Sequence, residues 1–363
     1  MPPTLRLTWI DTVKGIAVIL VVLYHAVSLA QDKSWSGDQL SMLTSALLTV
    51  RMPLFFAMSG FFILRRIDRP WSWQLRNRIG PFLWLFILWT AVWLLVFDIL
   101  PWHRAGDSGT TSLQDIVRLL VDPSIGPWYI YALAIYIIAV KLMRPLPVWL
   151  QFLLGATVSL PVACGVLTID SWVWTSLLSH FIAFQIGALA HRTLSTIADH
   201  ATLWWLLGYG ALWGGCTAAL FVLDLGLDNL ARIPVTLLGM AMGITAAVLI
   251  DRHAPFLKLA WVGKNTLPIY LLHVPLLGAV YSLDLGLPST AVVAVGVPVL
   301  CTVLAVAGAL LIWRVTRRVP GIYTAPWTGD GANTRNIPTT PSRPGRGDRR
   351  DRDADGRVQV GNG

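Results

Sequence analysis

The sequence predicts an all-α, polytopic membrane protein with about ten transmembrane helices. Hydrophobic residues make up 55% of its 363 residues and charged residues only 13%, whereas a soluble domain carries roughly a quarter charged residues. Apolar segments of about 20 residues, the length that crosses a bilayer, recur along the chain. The 18 tryptophans point the same way, because indole rings favour the membrane interface.

Ten segments have the required length and composition, with boundaries good to a few residues. The first is a spanning helix rather than a cleaved signal peptide, because its apolar run is about twenty residues long and contains Lys14 and His25. The ten segments are residues 9–30, 41–64, 79–100, 127–143, 147–166, 172–190, 203–223, 232–250, 256–279 and 290–313.

Lysines and arginines collect in alternate connections, which orients the chain because cytoplasmic loops are enriched in these residues. This bias predicts that both termini are cytoplasmic and that the protein is a multi-pass protein of the inner (plasma) membrane. The net charge of +9 is therefore an orientation signal, and no nucleic-acid partner is expected. The basic set is Arg65, Arg66, Arg69, Arg76, Arg78, Lys141, Arg144, Arg192, Arg252, Lys258, Arg314, Arg317 and Arg318.

The chain is expected to hold one transmembrane domain, residues 1–323, followed by a disordered polar tail, residues 324–363. The tail is rich in Gly, Pro, Asp and Arg and has almost no bulky apolar residues, so it cannot offset the entropy of ordering. The longest extracytoplasmic connection, residues 101–126, contains an amphipathic stretch from Leu113 to Val121 that fits a membrane surface. The three cysteines lie in apolar stretches without CxxC spacing, so neither a disulfide nor a metal site is expected.

Ionisable residues within the apolar segments are the best candidates for a functional site, since each costs about 2.5–3.5 kcal/mol at the bilayer centre on insertion scales. Lys14 and His25 are eleven positions apart, about three helical turns and ~16 Å, so they share a face. We therefore expect both residues to border one hydrated chamber. Asp11 lies three residues before Lys14, where a carboxylate and an ammonium meet on a helix surface. The other candidates are Arg51, His180, Lys264 and His273.

The predicted orientation places His25, Arg51 and His273 in the outer half of the membrane, and Lys14, Lys264 and Asn265 in the inner half. Simpler interpretations remain open for several candidates. His180 fits a buried hydrogen-bonding group, and Arg51 a side chain that snorkels to the lipid headgroups. Trp128 and Tyr129 are typical of an interfacial aromatic belt.

Four motifs in this order resemble the integral-membrane acyltransferase type 3 family, in its fucose-acetylase-like branch of envelope-glycan O-acetyltransferases. The first helix has Lys14, ten residues and His25, within a segment that begins Asp11-Thr-Val-Lys14-Gly. The others are Arg51-Met-Pro-Leu-Phe-Phe-Ala-Met-Ser-Gly60, Pro127-Trp128-Tyr129, and Gly263-Lys264-Asn265-Thr-Leu-Pro-Ile-Tyr-Leu-Leu-His273.

The resemblance implies transfer of an acyl group, typically acetyl from cytoplasmic acetyl-CoA, to a hydroxyl of an envelope glycan or lipid-linked sugar. No permanently bound cofactor or metal is expected. We expect His25 to act as the general base and Arg51 or His273 to stabilise the oxyanion or position the acceptor. The predicted catalytic residues are His25, Lys14, Arg51 and His273, and the predicted substrate-binding residues are Asp11, Trp128, Tyr129, Lys264 and Asn265.

A transporter or flippase for a glycolipid or small solute is the alternative function, since buried charges also line translocation paths. Two similar halves with paired broken helices are typical of transporters. The sequence shows no such halves. The enzyme interpretation is therefore preferred.

Overall fold

The computed structural model describes residues 5–35, 37–99, 121–124, 126–227, 229–283, 286–288 and 290–328, and all regular structure among them is helical. A single π-helical turn, Leu75–Ile79, joins α4 to α5. The helices are α1 Leu5–Asp32, α2 Asp38–Ala46, α3 Leu48–Gly60, α4 Trp71–Gln74, α5 Gly80–Ile99, α6 Trp128–Met143, α7 Val148–Ala163, α8 Trp172–Leu189, α9 His191–Asp199, α10 Leu203–Val222, α11 Arg232–His253, α12 Leu259–Lys264, α13 Thr266–Tyr281 and α14 Ala291–Thr316.

Every segment expected to cross the membrane contains an apolar helix, which confirms the all-α membrane class. Within the described ranges, seven helices are long and apolar enough to span a bilayer, while α6, α7 and α13 are shorter apolar helices. The number of crossings and the cytoplasmic location of both termini stay predictions.

The ninth predicted segment, residues 256–279, is not one continuous helix. It begins with a short 3₁₀ turn, Pro255–Leu257, and then divides at Asn265 into α12 and α13. Lys258 adopts a left-handed conformation with φ of 51°, which separates the first turn from α12. Pro268 lies in the first turn of α13, where its ring would clash with the carbonyl of Lys264 if the helix continued backwards.

Helix α1 lies at the centre of the described bundle and contacts α3, α11, α12, α13 and α14. Its approach to α12 depends on two glycines. A Cβ on Gly15 would lie 2.3 Å from the carbonyl oxygen of Leu259, and one on Gly263 would lie 1.6 Å from that of Asp11. Small residues let membrane helices approach this closely. The contact places the Gly263-Lys264-Asn265 motif beside the first turns of α1.

A second close approach joins α3 to α8. A Cβ on Gly60 would lie 2.2 Å from the carbonyl oxygen of Phe184, and one on Gly187 would lie 1.8 Å from that of Ala57. Backbone atoms cannot move aside as the end of a flexible side chain can. Gly60, the last residue of the Phe-Phe-x-x-Ser-Gly motif, is thus required for helix packing.

We expect Gly187→Ala to destabilise the protein by about 1–3 kcal/mol, because the added methyl overpacks the contact between α3 and α8. Gly208→Ala is the matched control, since nothing lies within 4 Å of its added Cβ. Thermal unfolding of both purified variants in one detergent measures the difference. A midpoint for Gly187→Ala equal to that of Gly208→Ala would refute the close approach.

The compact unit extends to Trp327, a few residues beyond the expected end of the transmembrane domain. The indole nitrogens of Trp84 and Trp89 donate to the carbonyls of Gly321 and Ile322, each at 2.8 Å. Trp327 donates to the carbonyl of Arg76 at 2.9 Å. The predicted disorder of the tail concerns residues that lie almost wholly outside the described ranges, as does most of the connection 101–126 with its stretch Leu113–Val121.

Candidate active site

A cavity of about 1030 Å³ lies where α1 and α13 end and where α6 and α8 begin. Most of its walls come from these four helices and from α3, and Ser45 of α2 and Trp93 of α5 also line it. The predicted site residues that line it are His25, Arg51, Trp128, Tyr129 and His273. Three helices therefore bring the two histidines and the arginine together, as their matched depth in the sequence predicts.

The rings of His25 and His273 lie side by side, with centroids 5.1 Å apart. Nδ1 of His273 is 2.7 Å from the carbonyl oxygen of Tyr270 and 3.2 Å from that of Ile269. Carbonyls only accept hydrogen bonds, so Nδ1 carries the proton in the neutral ring. The other nitrogen, Nε2, is buried and has no hydrogen-bond partner in the structure. Because it then holds a lone pair, a neutral His273 accepts hydrogen bonds and cannot donate one to an oxyanion.

Arg51 is held in place by its neighbours and does not snorkel to the surface, since only 3% of it is exposed. Its guanidinium lies 4.1 Å from the centroid of the Tyr24 ring, a cation–π arrangement. One Nη1–H donates to the carbonyl of Thr44, which lies in the last turn of α2. A guanidinium has five N–H donors, so donors remain for a ligand in the cavity.

The Phe-Phe-x-x-Ser-Gly motif of α3 contributes Phe55 to the cavity wall and supports Tyr129 from behind. Phe55 stacks on Tyr129 with a centroid distance of 4.6 Å, and Phe56 contacts the same ring at 4.7 Å. The Ser59 hydroxyl donates to the carbonyl of Phe55 at 2.9 Å and accepts from the Tyr129 hydroxyl. The motif therefore positions Tyr129, which is 6% exposed and belongs to the cavity wall rather than to an interfacial belt.

Tyr129 is tied in turn to α13. Its backbone N–H donates to the hydroxyl of Tyr270 at 2.9 Å, and Tyr270 also lines the cavity. Trp128 lines the cavity beside Trp172, with ring centroids 6.1 Å apart. The Pro-Trp-Tyr and Tyr-Leu-Leu-His motifs thus meet in one wall.

The remaining predicted site residues lie toward the opposite end of α1, where α11 ends and α13 begins. Asp11 is within electrostatic reach of Lys14, Lys264 and Asp251. Asn265 follows Lys264 and bonds to the carbonyl of Trp261 at 2.8 Å. Lys14 is not among the residues that line the cavity of His25. The single chamber expected around both residues is thus two sites on one helix: the cavity and this charged cluster of Asp11, Lys14, Asp251 and Lys264.

The charged cluster is anchored to α1 through Asp251. Its carboxylate accepts hydrogen bonds from the hydroxyls of Thr8 at 2.5 Å and Thr12 at 3.2 Å. Asp251 lies in α11, one position beyond the predicted segment 232–250, and the sequence did not single it out as a site residue.

Sequence reasoning underrated three cavity residues: Tyr24, Tyr270 and His180. Tyr24 supports Arg51, and Tyr270 bonds to Tyr129. His180 is 6% exposed and stacks on Phe56 with a centroid distance of 5.5 Å. One signal was available, since His180 follows Trp172 and Ser176 at intervals of four residues, and all three line the cavity.

Comparison with known proteins gives one family and one relative. A family model described as an acyltransferase domain matches residues 7–314. The inner membrane protein YcfT of Escherichia coli (strain K12) is 26% identical over 221 residues, which are 54% of this chain and 59% of that protein. The match therefore covers less than two thirds of the relative's length. No solved structure matches the chain.

Proposed function

The chain belongs to the integral-membrane acyltransferase type 3 family, and from this premise we propose that it transfers acetyl from cytoplasmic acetyl-CoA to a hydroxyl of an envelope glycan or glycolipid. It acts in the inner (plasma) membrane, as the similarity to YcfT suggests. One observation carries the proposal: α1 connects a histidine-lined cavity at one end to the charged cluster at the other.

The two lysines of the charged cluster suit the donor. CoA is polyanionic, and Lys14 and Lys264 supply two cations at the end of the bundle that the charge bias assigns to the cytoplasm. Lysine binds phosphate as a point charge. The extended thioester arm is on the order of 15 Å long, comparable to the ~16 Å rise between Lys14 and His25. The arm of a donor held at the cluster is therefore long enough to span the distance to the cavity.

The cavity suits the chemistry of a direct transfer. His25 accepts the proton of the acceptor hydroxyl as its oxygen attacks the thioester carbonyl carbon. The carbonyl becomes an oxyanion, and the free N–H donors of Arg51 stabilise it. The oxyanion then collapses, the carbon–sulfur bond breaks, and the CoA thiolate takes the proton from His25. The products are the acetyl ester and free CoA, with His25 restored.

His273 supports this step as a hydrogen-bond acceptor. Its Nε2 lone pair is buried beside the His25 ring. We propose that His25, once protonated, donates a hydrogen bond to this acceptor, which then stabilises the charged ring. Stabilisation of the oxyanion is therefore assigned to Arg51 rather than to His273.

The donor assignment is tested by ligand-induced stabilisation. Acetyl-CoA at 100 times its Kd raises the stability of the purified protein by about 2.7 kcal/mol. We expect Lys14→Gln to weaken this effect at least tenfold in apparent Kd, because it removes a cation from the phosphate site. Arg192→Gln is the matched control, since Arg192 is exposed and belongs neither to the cavity nor to the charged cluster. Stabilisation that is equal in both variants, or absent from the wild type, would refute the assignment.

A further inference from the structure

The wall of the cavity that α8 provides has a regular side-chain pattern. Trp172, Ser176 and His180 are spaced four residues apart, which places them on one helix face, and all three line the cavity. The Trp128 ring lies against Trp172, with centroids 6.1 Å apart at an angle of 80°. We call these four residues the α8 wall.

The α8 wall carries polar groups without protein partners. Nδ1 of His180 is 2.6 Å from the carbonyl oxygen of Ser176, so it holds the proton of the neutral ring and leaves a lone pair on Nε2. In the described part of the chain, that Nε2, the Ser176 hydroxyl and the indole N–H groups of Trp128 and Trp172 make no hydrogen bond. His180 is only 6% exposed. All four residues line the cavity, so these unpaired groups can bind a ligand there.

Trp128 and Trp172 differ in this respect from Trp93, another tryptophan of the same cavity. Six tryptophans donate their N–H to an oxygen acceptor, including Trp93, which lines the same cavity and bonds to the carbonyl of Leu271 at 2.9 Å. The unpaired donors of Trp128 and Trp172 are therefore available to a ligand. The six are Trp84, Trp89, Trp93, Trp174, Trp213 and Trp327.

The combination of groups selects one ligand chemistry. The aromatic faces of the tryptophans can pack on the C–H surface of a sugar ring. The two indole N–H donors, the serine hydroxyl and the histidine lone pair can bond to neighbouring hydroxyls of that ring. An acyl chain would leave all four polar groups unsatisfied. A phosphate would gain nothing from the lone pair of His180. A pyranose ring fits every group.

We propose that the α8 wall binds a pyranose ring of the acceptor, with His180 Nε2 accepting a hydrogen bond from a ring hydroxyl and the two indoles donating. The inference rests on the proposed function, since it names the part of the acceptor that this cavity recognises. Arg51 and His25 line the same cavity as this wall, so a ring bound here shares the cavity with the groups proposed for catalysis.

A binding experiment tests the wall without any acyl donor. The protein in nanodiscs is titrated with octyl β-D-glucopyranoside and, separately, with tetraethylene glycol monooctyl ether, each below its critical micelle concentration. Both probes have the same alkyl chain, and only the first has a ring. We expect the glucoside to raise the thermal midpoint and the ether to leave it unchanged. Equal effects of the two probes would overturn the proposal.

Variants locate the binding. We expect Trp172→Ala, Ser176→Ala and His180→Phe each to weaken glucoside binding about tenfold, the effect of losing one good contact. Trp204→Ala is the control, because Trp204 is 81% exposed on α10 and is not part of the cavity. If the His180→Phe protein does not fold, the test relies on Ser176→Ala, which removes only one oxygen atom. Wild-type binding by the folded wall variants would refute the proposal. Absence of acetyl transfer by the wild type, with glucoside binding intact, would count only against the proposed reaction.

Discussion

His25→Ala is expected to reduce acetyl transfer from acetyl-CoA by about 10³-fold, within the 10²–10⁴ that general base catalysis contributes. The loss should fall on kcat, because the donor phosphates are proposed to bind at the other end of α1. The initial rate of CoA release in the presence of membrane glycolipid extract measures it. Stabilisation by acetyl-CoA should be unchanged in this variant.

His253→Ala is the matched control for His25→Ala. His253 ends α11, is exposed, and does not line the cavity. Membrane abundance and the thermal midpoint of both variants are measured first, so that a folding defect is separated from a catalytic one. A folded His25→Ala protein with the rate of the His253→Ala protein would remove His25 from the mechanism.

Arg51→Ala is expected to lower kcat by about 10²–10³-fold, the effect of losing one preorganised oxyanion donor. KM for acetyl-CoA should change little. The variant also leaves the Thr44 carbonyl without its buried donor, which costs about 1–3 kcal/mol of stability. Activity must therefore be compared at a temperature where the variant is fully folded.

Rescue separates the chemical role of Arg51 from its structural one. Guanidinium added in the millimolar range should restore part of the rate of Arg51→Ala, because the cavity left by the side chain can admit the free cation. Arg65→Ala is the control, since Arg65 is exposed and its guanidinium lies 4.4 Å from the centroid of the Phe62 ring. An unchanged kcat in folded Arg51→Ala, or a kcat loss in Arg65→Ala, would contradict the role assigned to Arg51.

The apolar segments and the depth of the ionisable residues were predictable because both follow from the cost of placing polar groups in hydrocarbon. This free-energy cost alone locates the helices. It also predicts that His25, Arg51 and His273 lie at similar depth on three of them. It also separates Lys14 from His25 by a rise of about three turns. In the structure, Lys14 and His25 accordingly belong to two separate sites rather than to one chamber.

The neighbours of each helix were not predictable, because a spanning helix is apolar on every side. The span Asp38–Arg66 has a hydropathy of 1.8 and is 67% buried in its most apolar window, whereas Leu203–Val222 has 1.4 and is 11% buried. Helices of similar hydropathy can therefore be either mostly buried inside the bundle or mostly exposed at its surface. For the same reason, the sequence left His180 as a buried hydrogen-bonding group, although the α8 wall brings it into the cavity.

The glycines mark the contacts that a hydropathy pattern misses. Gly15 and Gly263 set the approach of α12 to α1, and Gly60 and Gly187 that of α8 to α3. Their neighbours are backbone carbonyls, which no composition reveals. Gly15, Gly60 and Gly263 lie within the sequence motifs, whereas Gly187 does not.

The central claim is that this chain adds an acetyl ester to an envelope glycan or glycolipid with His25 as the base. Mass spectrometry of envelope glycans and glycolipids tests it most directly, in cells that lack the protein, carry the wild type, or carry His25→Ala at equal abundance. An acetyl ester present only with the wild type is the predicted result. The same esters in all three strains would contradict the claim.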